Sequence, residues 1–322
     1  MTRVIFMGSP ELATPSLEAL LSAPGVEVVA VFSQPDRPTG RGRKMQPCAV
    51  KAEALAHGLL VHTPEKIAAS EAVPMLDAAA ADLAIVCAYG HILPERVLRM
   101  FPLGCFNLHF SLLPRWRGAS PVQAAILAGD SHSGVSLQSM VRELDAGPII
   151  TETAPIPIGA EETAGELAQR LARAGAELLK ASMPILLAGS PPLKNQDHAK
   201  ATFCRTIQKE AGLVNFSTES AIEIGRKVRA YHPWPGCHTF LDGRRFGLVR
   251  VQAVETPENT LEPAPQKNPL GALDRDGWVT AFGGGRIKLL EVKPEGKRAM
   301  AWEDYLRGAP ETVGKQLLPQ PE

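Results

Sequence analysis

The stretch "RVIFMGSPELATPSLEALLSAPGVEVVAVFS", residues 3–33, decides the fold. "RVIFMG" is a near-continuous apolar run, the pattern of a strand buried on both faces. Gly8 and Pro10 end it, and "PELATPSLEALLS" then carries helical periodicity with proline close to its start. "VEVVAVFS" returns to a buried strand. Downstream, "AVKAEALAHG" predicts a helix closed by Gly58, while "ADLAIVCAYG" and "GCFNLH" are further short apolar runs ending in turn residues. Strands alternating with helices imply an α/β, Rossmann-like fold: a parallel, doubly wound sheet with helices on both faces. In such sheets the ligand crevice lies outside the carboxyl ends of the strands. Both "AYG" and "NLHFSLLP" fall at such ends.

"GVSLQSMV" and "GPIITETAPI" then read as a hairpin, and a helix from about Glu161 to Leu187 closes the region. "AGSPPLKNQDHAKATF" turns to Pro, Gly and polar residues, the composition of a linker. Beyond it, a helix-like "TESAIEIGRKVRAY" leads to "HPWPG" and short runs punctuated by D-G and G-G turns, which predict a small antiparallel β-barrel. The expected division is a catalytic domain at residues 1–189, a linker at 190–207 and a β domain at 208–322.

Over 322 residues, 45% apolar and 21% charged is the balance of a globular protein. Lys+Arg and Asp+Glu are equal at 34 each, so any polyanion argument must be local. Five cysteines, odd in number and without a C-x-x-C pair, argue against a disulfide framework or a zinc site. The amino terminus lacks the apolar core of a signal peptide, and no run approaches the ~20 apolar residues of a membrane helix. A cytoplasmic, non-membrane protein is expected.

Gly8 follows a strand and precedes a helix, as in a dinucleotide site, but the G-x-G-x-x-G pattern is absent. A tight strand-to-helix turn is the favoured reading there. "QPDRPTGRGRKMQP" sets Arg37, Arg41, Arg43 and Lys44 against one acid, Asp36, among two glycines and three prolines. It is either a solvated loop or a basic, adaptable segment suited to a phosphate backbone. Asn107 and His109 alternate along an extended segment and share a face. Side by side, their N–H groups suit an oxygen that becomes negative, although a strand end satisfied locally gives the same pattern. Asp145, in the turn of the predicted hairpin, either orients His109 or caps its own backbone. Neither a nucleophile elbow nor a P-loop lysine nor H-E-x-x-H is present, so an enzyme here is expected to work without a metal or a covalent intermediate.

Taken together, "VIFMGSPELA", "VFSQPDRPTGRGRKMQP", "AYGHILP", "FNLHFSLLPRWRGASP", "ELDAGPI", "VRAYHPWPG" and "KPEGKRAM" resemble the methionyl-tRNA formyltransferases nearly end to end. N-x-H-x-S-L-L-P with L-D-x-G is the part shared by enzymes that use 10-formyltetrahydrofolate. The resemblance implies Asn107, His109 and Asp145 as the catalytic trio. It implies folate held by Ser111, Leu112, Leu113 and Pro114, with Tyr89, Gly90, Ile92 and Leu93 lining the pterin pocket. It further implies charged initiator tRNA as partner, gripped by Arg37, Arg41, Arg43 and Lys44, and an OB-like second domain supporting it; a monomer is expected. Residues 205–250 carry eight Lys/Arg against four Asp/Glu, in keeping with a basic face.

Two positions depart from the family pattern: Phe110, where a small residue is usual, and His91, where an aliphatic one is common. Three other functions compete. A nicotinamide oxidoreductase is disfavoured by the missing glycines, and a non-catalytic RNA-binding protein would not need the trio. A formyltransferase acting on an amino-sugar nucleotide would not need the second domain in this form.

Overall fold

The 3–33 stretch folds as its pattern predicts. Thr2–Gly8 and Val26–Phe32 are parallel neighbours, with Val4–Met7 fully buried between the layers, and Thr14–Leu21 is the helix that connects them. The computed structural model describes residues 1–39, 42–67, 71–254 and 269–320, and it divides into two compact units.

The first unit comprises Met1–Val122, His132–Pro157 and Leu167–Arg205. Its seven-stranded sheet runs in the order Ile149–Glu152, Ser136–Ser139, Gly104–His109, Leu83–Cys87, Thr2–Gly8, Val26–Phe32, Val61–His62. The last five of these are parallel, and the first two are antiparallel, the predicted hairpin laid on one edge. Chain order runs outward from Thr2–Gly8 to one side and then crosses to Leu83–Cys87 on the other. The direction of winding therefore reverses between these two strands, where such folds open a crevice. Ser9 ties the crevice rim together: its hydroxyl donates to Tyr89 O (3.1 Å) and accepts from Gln34 N (3.1 Å).

Gly8 serves packing rather than phosphate binding. A Cβ there would lie 2.9 Å from Cys87 O and 3.1 Å from Ala13, so only glycine lets helix and neighbouring strand come this close. On one face of the sheet Ile5, Met7, Phe32, Leu76, Val86, Val97 and Phe101 form a continuous core. The helix Ala164–Leu187 buries Leu167, Leu171, Leu179, Met183 and Leu186, spaced at three, four and multiples of these. Each such side chain removed from water contributes about 1.5–3 kcal/mol.

The segment read as a linker belongs to this unit as far as Arg205. Lys194 and Ile149 exchange both backbone hydrogen bonds (2.9 and 2.8 Å), and Phe203–Cys204 pairs in parallel with Arg117–Gly118. Pro, Gly and polar residues report that the segment forms only short elements, the 3-10 turn His198–Lys200 and the strand Phe203–Cys204; they say nothing of what it lies on.

The second unit comprises Gln123–Ser131, Ile158–Glu166 and Thr206–Glu322. The helix Ala221–Ala230 opens with a capping box in which Ser220 and Glu223 satisfy each other's backbone N–H. An antiparallel sheet follows in the order Cys237–Leu241, Arg244–Val254, Arg286–Pro294, Trp278–Thr280, with Met300–Ala301 also paired to the third. Single bridges carry it round: Val279 to Leu273, Ala272 to Gln316, and Leu318 back to Phe240 on the first strand. These bridges close the barrel that the turn spacing implied.

All five cysteines are free thiols. Among the described residues, no helix is long and apolar enough to cross a membrane, and no group of three His, Cys, Asp or Glu is placed to hold a metal ion.

Candidate active site

Asn107 and His109 stand at the carboxyl end of the Gly104–His109 strand, and the hairpin edge decides what faces them. Gln138 lies opposite Asn107 and Ser136 opposite His109, so four polar side chains share one face of the sheet. All four are buried. Asp145 sits in the turn that follows, in a left-handed conformation with φ of 50°.

Its carboxylate is the centre of the cluster. Gly118 N donates to Oδ2 at 2.9 Å, Gln138 Nε2 to Oδ1 at 2.8 Å, and Asn107 Nδ2 reaches Oδ1 at 3.4 Å. His109 Nδ1 lies 3.6 Å from Oδ2, and its Nε2 donates to Trp116 O at 2.8 Å. Hydrogen bonds to a charged acceptor contribute about 1.5–3 kcal/mol each, so the carboxylate is held in a fixed direction although its side chain is only 11% exposed. The arrangement can hold an imidazole between two oxygens, accept a proton at Asp145 or His109, and release the Asn107 amide from its long contact to a stronger acceptor.

The "SLLP" segment is threaded through the same cluster. Ser111 Oγ donates to Arg115 O (2.5 Å), and Ser136 Oγ accepts from Leu113 N (3.0 Å) and lies 2.8 Å from both Ser111 O and Glu152 Oε1. Leu113 is buried, while Leu112 and Pro114 are half-buried, and Pro114 O accepts from Thr202 N (3.3 Å).

At the neighbouring strand end, Tyr89 and Leu93 are buried, Gly90 takes a φ of 84°, and Ile92 is 81% exposed. Ile92 therefore stands apart from its neighbours, on the surface. Among the described residues the buried Tyr89 hydroxyl has no hydrogen-bond partner. Burial pushes the phenol well above its ordinary value, so it remains a proton donor. His91 packs on the Tyr89 ring at 5.0 Å and its Nδ1 accepts from Ile67 N (3.3 Å). Burial holds that imidazole below its ordinary value, against a smaller upward pull from Glu65.

Phe110 is buried, and its ring edge lies 3.7 Å from where a Cβ on Gly175 would stand, beside Val135. Its ring fills space against the Ala164–Leu187 helix, on the opposite side of the strand from the alternating Asn107 and His109.

In the basic segment, Arg37–Thr39 and Lys44–Gln46 form a two-stranded antiparallel ribbon. Arg37 lies 3.7 Å from Glu65 with 64% of its side chain exposed, and Arg43 and Lys44 are exposed. Arg41 lies outside the described residues.

Gln138, Gln196, Arg117 and Gly118 escaped the reading of the sequence. For Gln138 a signal exists: S-L-Q-S alternates within one strand of the predicted hairpin. For Gln196, within a stretch of linker composition, none does.

An amide, an imidazole and a carboxylate converging at the strand ends agree with what family comparison finds. The family model described as formyl transferase matches residues 2–183, and that described as formyl transferase, C-terminal domain, matches residues 206–310. These define the class as formyl transferase. A methionyl-tRNA formyltransferase of Ectopseudomonas mendocina is 42% identical over 316 residues, 98% of either chain, and that of Halorhodospira halophila is 43% identical over 313 residues, 95% of this chain and 96% of the other. The chain belongs to the methionyl-tRNA formyltransferase family. A solved N-formyltransferase of Helicobacter canadensis, in complex with folinic acid and dTDP-3-aminofucose, shares the fold at a TM-score of 0.61 and 18% identity, over 89% of this chain and 98% of that one. HypX of Aquifex aeolicus, in complex with tetrahydrofolic acid, shares it at 0.57 and 15%, over 94% of this chain and 46% of that one.

Proposed function

We propose that this chain transfers the formyl group of 10-formyltetrahydrofolate to the α-amino group of methionyl initiator tRNA, with Asn107, His109 and Asp145 as the catalytic residues. One observation carries the assignment of roles: the three side chains, 38 positions apart in sequence from Asn107 to Asp145, meet in one buried cluster. The relatives named as methionyl-tRNA formyltransferases support the acceptor.

The amine lone pair attacks the formyl carbon, and the C=O electrons move to oxygen. The Asn107 amide turns from its 3.4 Å contact with Asp145 to donate to that oxyanion, and His109 Nε2 exchanges Trp116 O for the same oxygen. Asp145 holds His109 by its other nitrogen and takes up the proton that the attacking nitrogen loses. Collapse of the intermediate re-forms the C=O and breaks the bond to N10 of the folate, which leaves with the proton that Asp145 took from the amine, so the carboxylate is regenerated. Buried walls around the trio keep the reaction from water. Ser111–Pro114 and the Tyr89–Leu93 segment seat the folate, with the unpartnered Tyr89 hydroxyl offering a donor to its polar ring. Exposed Ile92 would meet the ligand only at the rim.

The Arg37, Arg43 and Lys44 ribbon, with Arg41, grips the tRNA backbone. One chain carries the whole trio, so a monomer suffices, and the reaction places the protein with cytoplasmic translation. The test supplies 10-formyltetrahydrofolate with methionyl initiator tRNA, free methionine or an amino-sugar nucleotide. Formylation of the charged tRNA alone is expected. A protein that formylates only the sugar nucleotide, or none of the three, refutes the reading.

A further inference from the structure

We infer that Gln196 is a positioning residue for the Asp145 carboxylate and that the buried guanidinium of Arg117 fixes Gln196 for that task. The inference rests on Asp145 having the role proposed above.

Arg117 is 1% exposed, and its guanidinium donates to Gln196 Oε1, from Nε at 3.1 Å and Nη2 at 2.8 Å, and lies 3.3 Å from His198 Nδ1 through both Nη1 and Nη2. A guanidinium has donors only, so the Gln196 atom facing it must be the carbonyl oxygen. This settles the orientation of the amide. Its nitrogen then points at Asp145 O (2.9 Å), Gly147 O (2.6 Å) and Gln138 Oε1 (3.4 Å). With its oxygen held there, Gln138 presents its own nitrogen to Asp145 Oδ1 at 2.8 Å. Two amide dipoles, oriented in series, thus link a buried cation to the partly buried Asp145 carboxylate.

The same contacts hold the strained turn. Asp145 has a φ of 50°, a conformation costly for a residue other than glycine, and Gln196 binds carbonyls on both sides of Ala146 within that turn. Gln196 is not needed to hold its own segment down. The Lys194–Ile149 backbone pair and the Phe203–Cys204 pairing do that. The side chain is therefore free to serve the site, which is why a stretch of linker composition buries a glutamine to 6%.

Two variants separate positioning from folding. Gln196→Ala removes the amide, while Gln196→Glu keeps an acceptor for Arg117 and turns oxygen toward the Asp145 and Gly147 carbonyls. Each is measured in single-turnover and steady-state formylation of methionyl-tRNA, alone and with Asp145→Asn, and each is checked by thermal melting. The expected result is a fall in kcat of about 10- to 100-fold for both, with KM for either substrate within about threefold, the size of effect produced by displacing a reacting group by about 1 Å. In the Asp145→Asn background, Gln196→Ala is expected to cause no further loss, because its target is already gone. Wild-type kcat in a folded Gln196→Glu protein overturns the inference. So does a loss in the double variant equal to the product of the single losses, or an effect confined to KM. Wild-type activity in Asp145→Asn alone instead overturns the catalytic role of Asp145, so the two failures are distinguishable.

Discussion

Replacing Gly118 by alanine strikes the backbone donor on which Asp145 depends. Gly118 has a φ of 119°, outside the range that alanine adopts without strain, and its added Cβ would lie 2.1 Å from Cys204 O. Carbonyl and methyl must part by about 1 Å, and neither is a flexible side-chain end: one is the Phe203–Cys204 strand, the other the Arg117–Gly118 strand paired with it. Backbone strain costs about 1–3 kcal/mol, and the lost hydrogen bond from Gly118 N to the carboxylate about 1.5–3 kcal/mol more. A loss near 3 kcal/mol lowers the melting midpoint by about 6–12 °C. A shift of about 1 Å at Asp145 lowers kcat by about 100-fold. Gly283→Ala is the control: its φ of 77° is also left-handed, but nothing lies within 4 Å of the added methyl, so it pays strain without collision. Differential scanning calorimetry and formylation kinetics on the two variants decide the matter. Gly118→Ala with a melting midpoint within 2 °C and kcat within twofold of the parent, each margin about the error of such assays, would refute the reasoning.

Asn107→Ala is expected to lower kcat by about 100-fold or more with little change in folate affinity, since it removes one oxyanion donor; a twofold effect in single-turnover assays counts against that role. Replacing Arg37, Arg43 and Lys44 together by alanine should weaken tRNA binding and reduce the slope of log K against log salt by about 2–3, one unit or slightly less per phosphate contact. An unchanged slope would show that the exposed ribbon does not touch the backbone. Stability should decline at mildly acid pH. Burial holds His62, His91 and His238 below the ordinary 6.5, with Arg245, Lys209 and Lys227 adding to the effect at His238. Below 6.5 the unfolded chain therefore binds more protons than the folded one, so the stability present above 6.5 is lost as pH falls toward the folded values. His238→Gln should flatten the fall in melting midpoint between about pH 7 and 5, and an identical fall in the variant would exclude His238 as a contributor.

What the sequence determined by itself is whatever depends on near neighbours in the chain. Apolar runs ending at Gly8, Phe32, Cys87 and His109 specify buried parallel strands, because only a strand covered on both faces repays so continuous an apolar surface. The 2-residue spacing of Asn107 and His109 places both on one face, and a proline-rich turn after them supplies a rigid ledge. Resemblance then supplied Asp145, which spacing alone left as a turn cap. Tertiary structure decided what meets across the chain. It set Gln138 opposite Asn107 by strand register, and folded the 190–205 segment back so that Gln196 reaches the Asp145 turn. It turned the Phe110 ring into the core and left Ile92 in solvent, although both lie in segments that otherwise build the site. The physical reason is the range of the forces involved. Hydrophobic periodicity is a local record of which face is buried, whereas a hydrogen bond between residues 51 positions apart leaves no periodic trace in either segment.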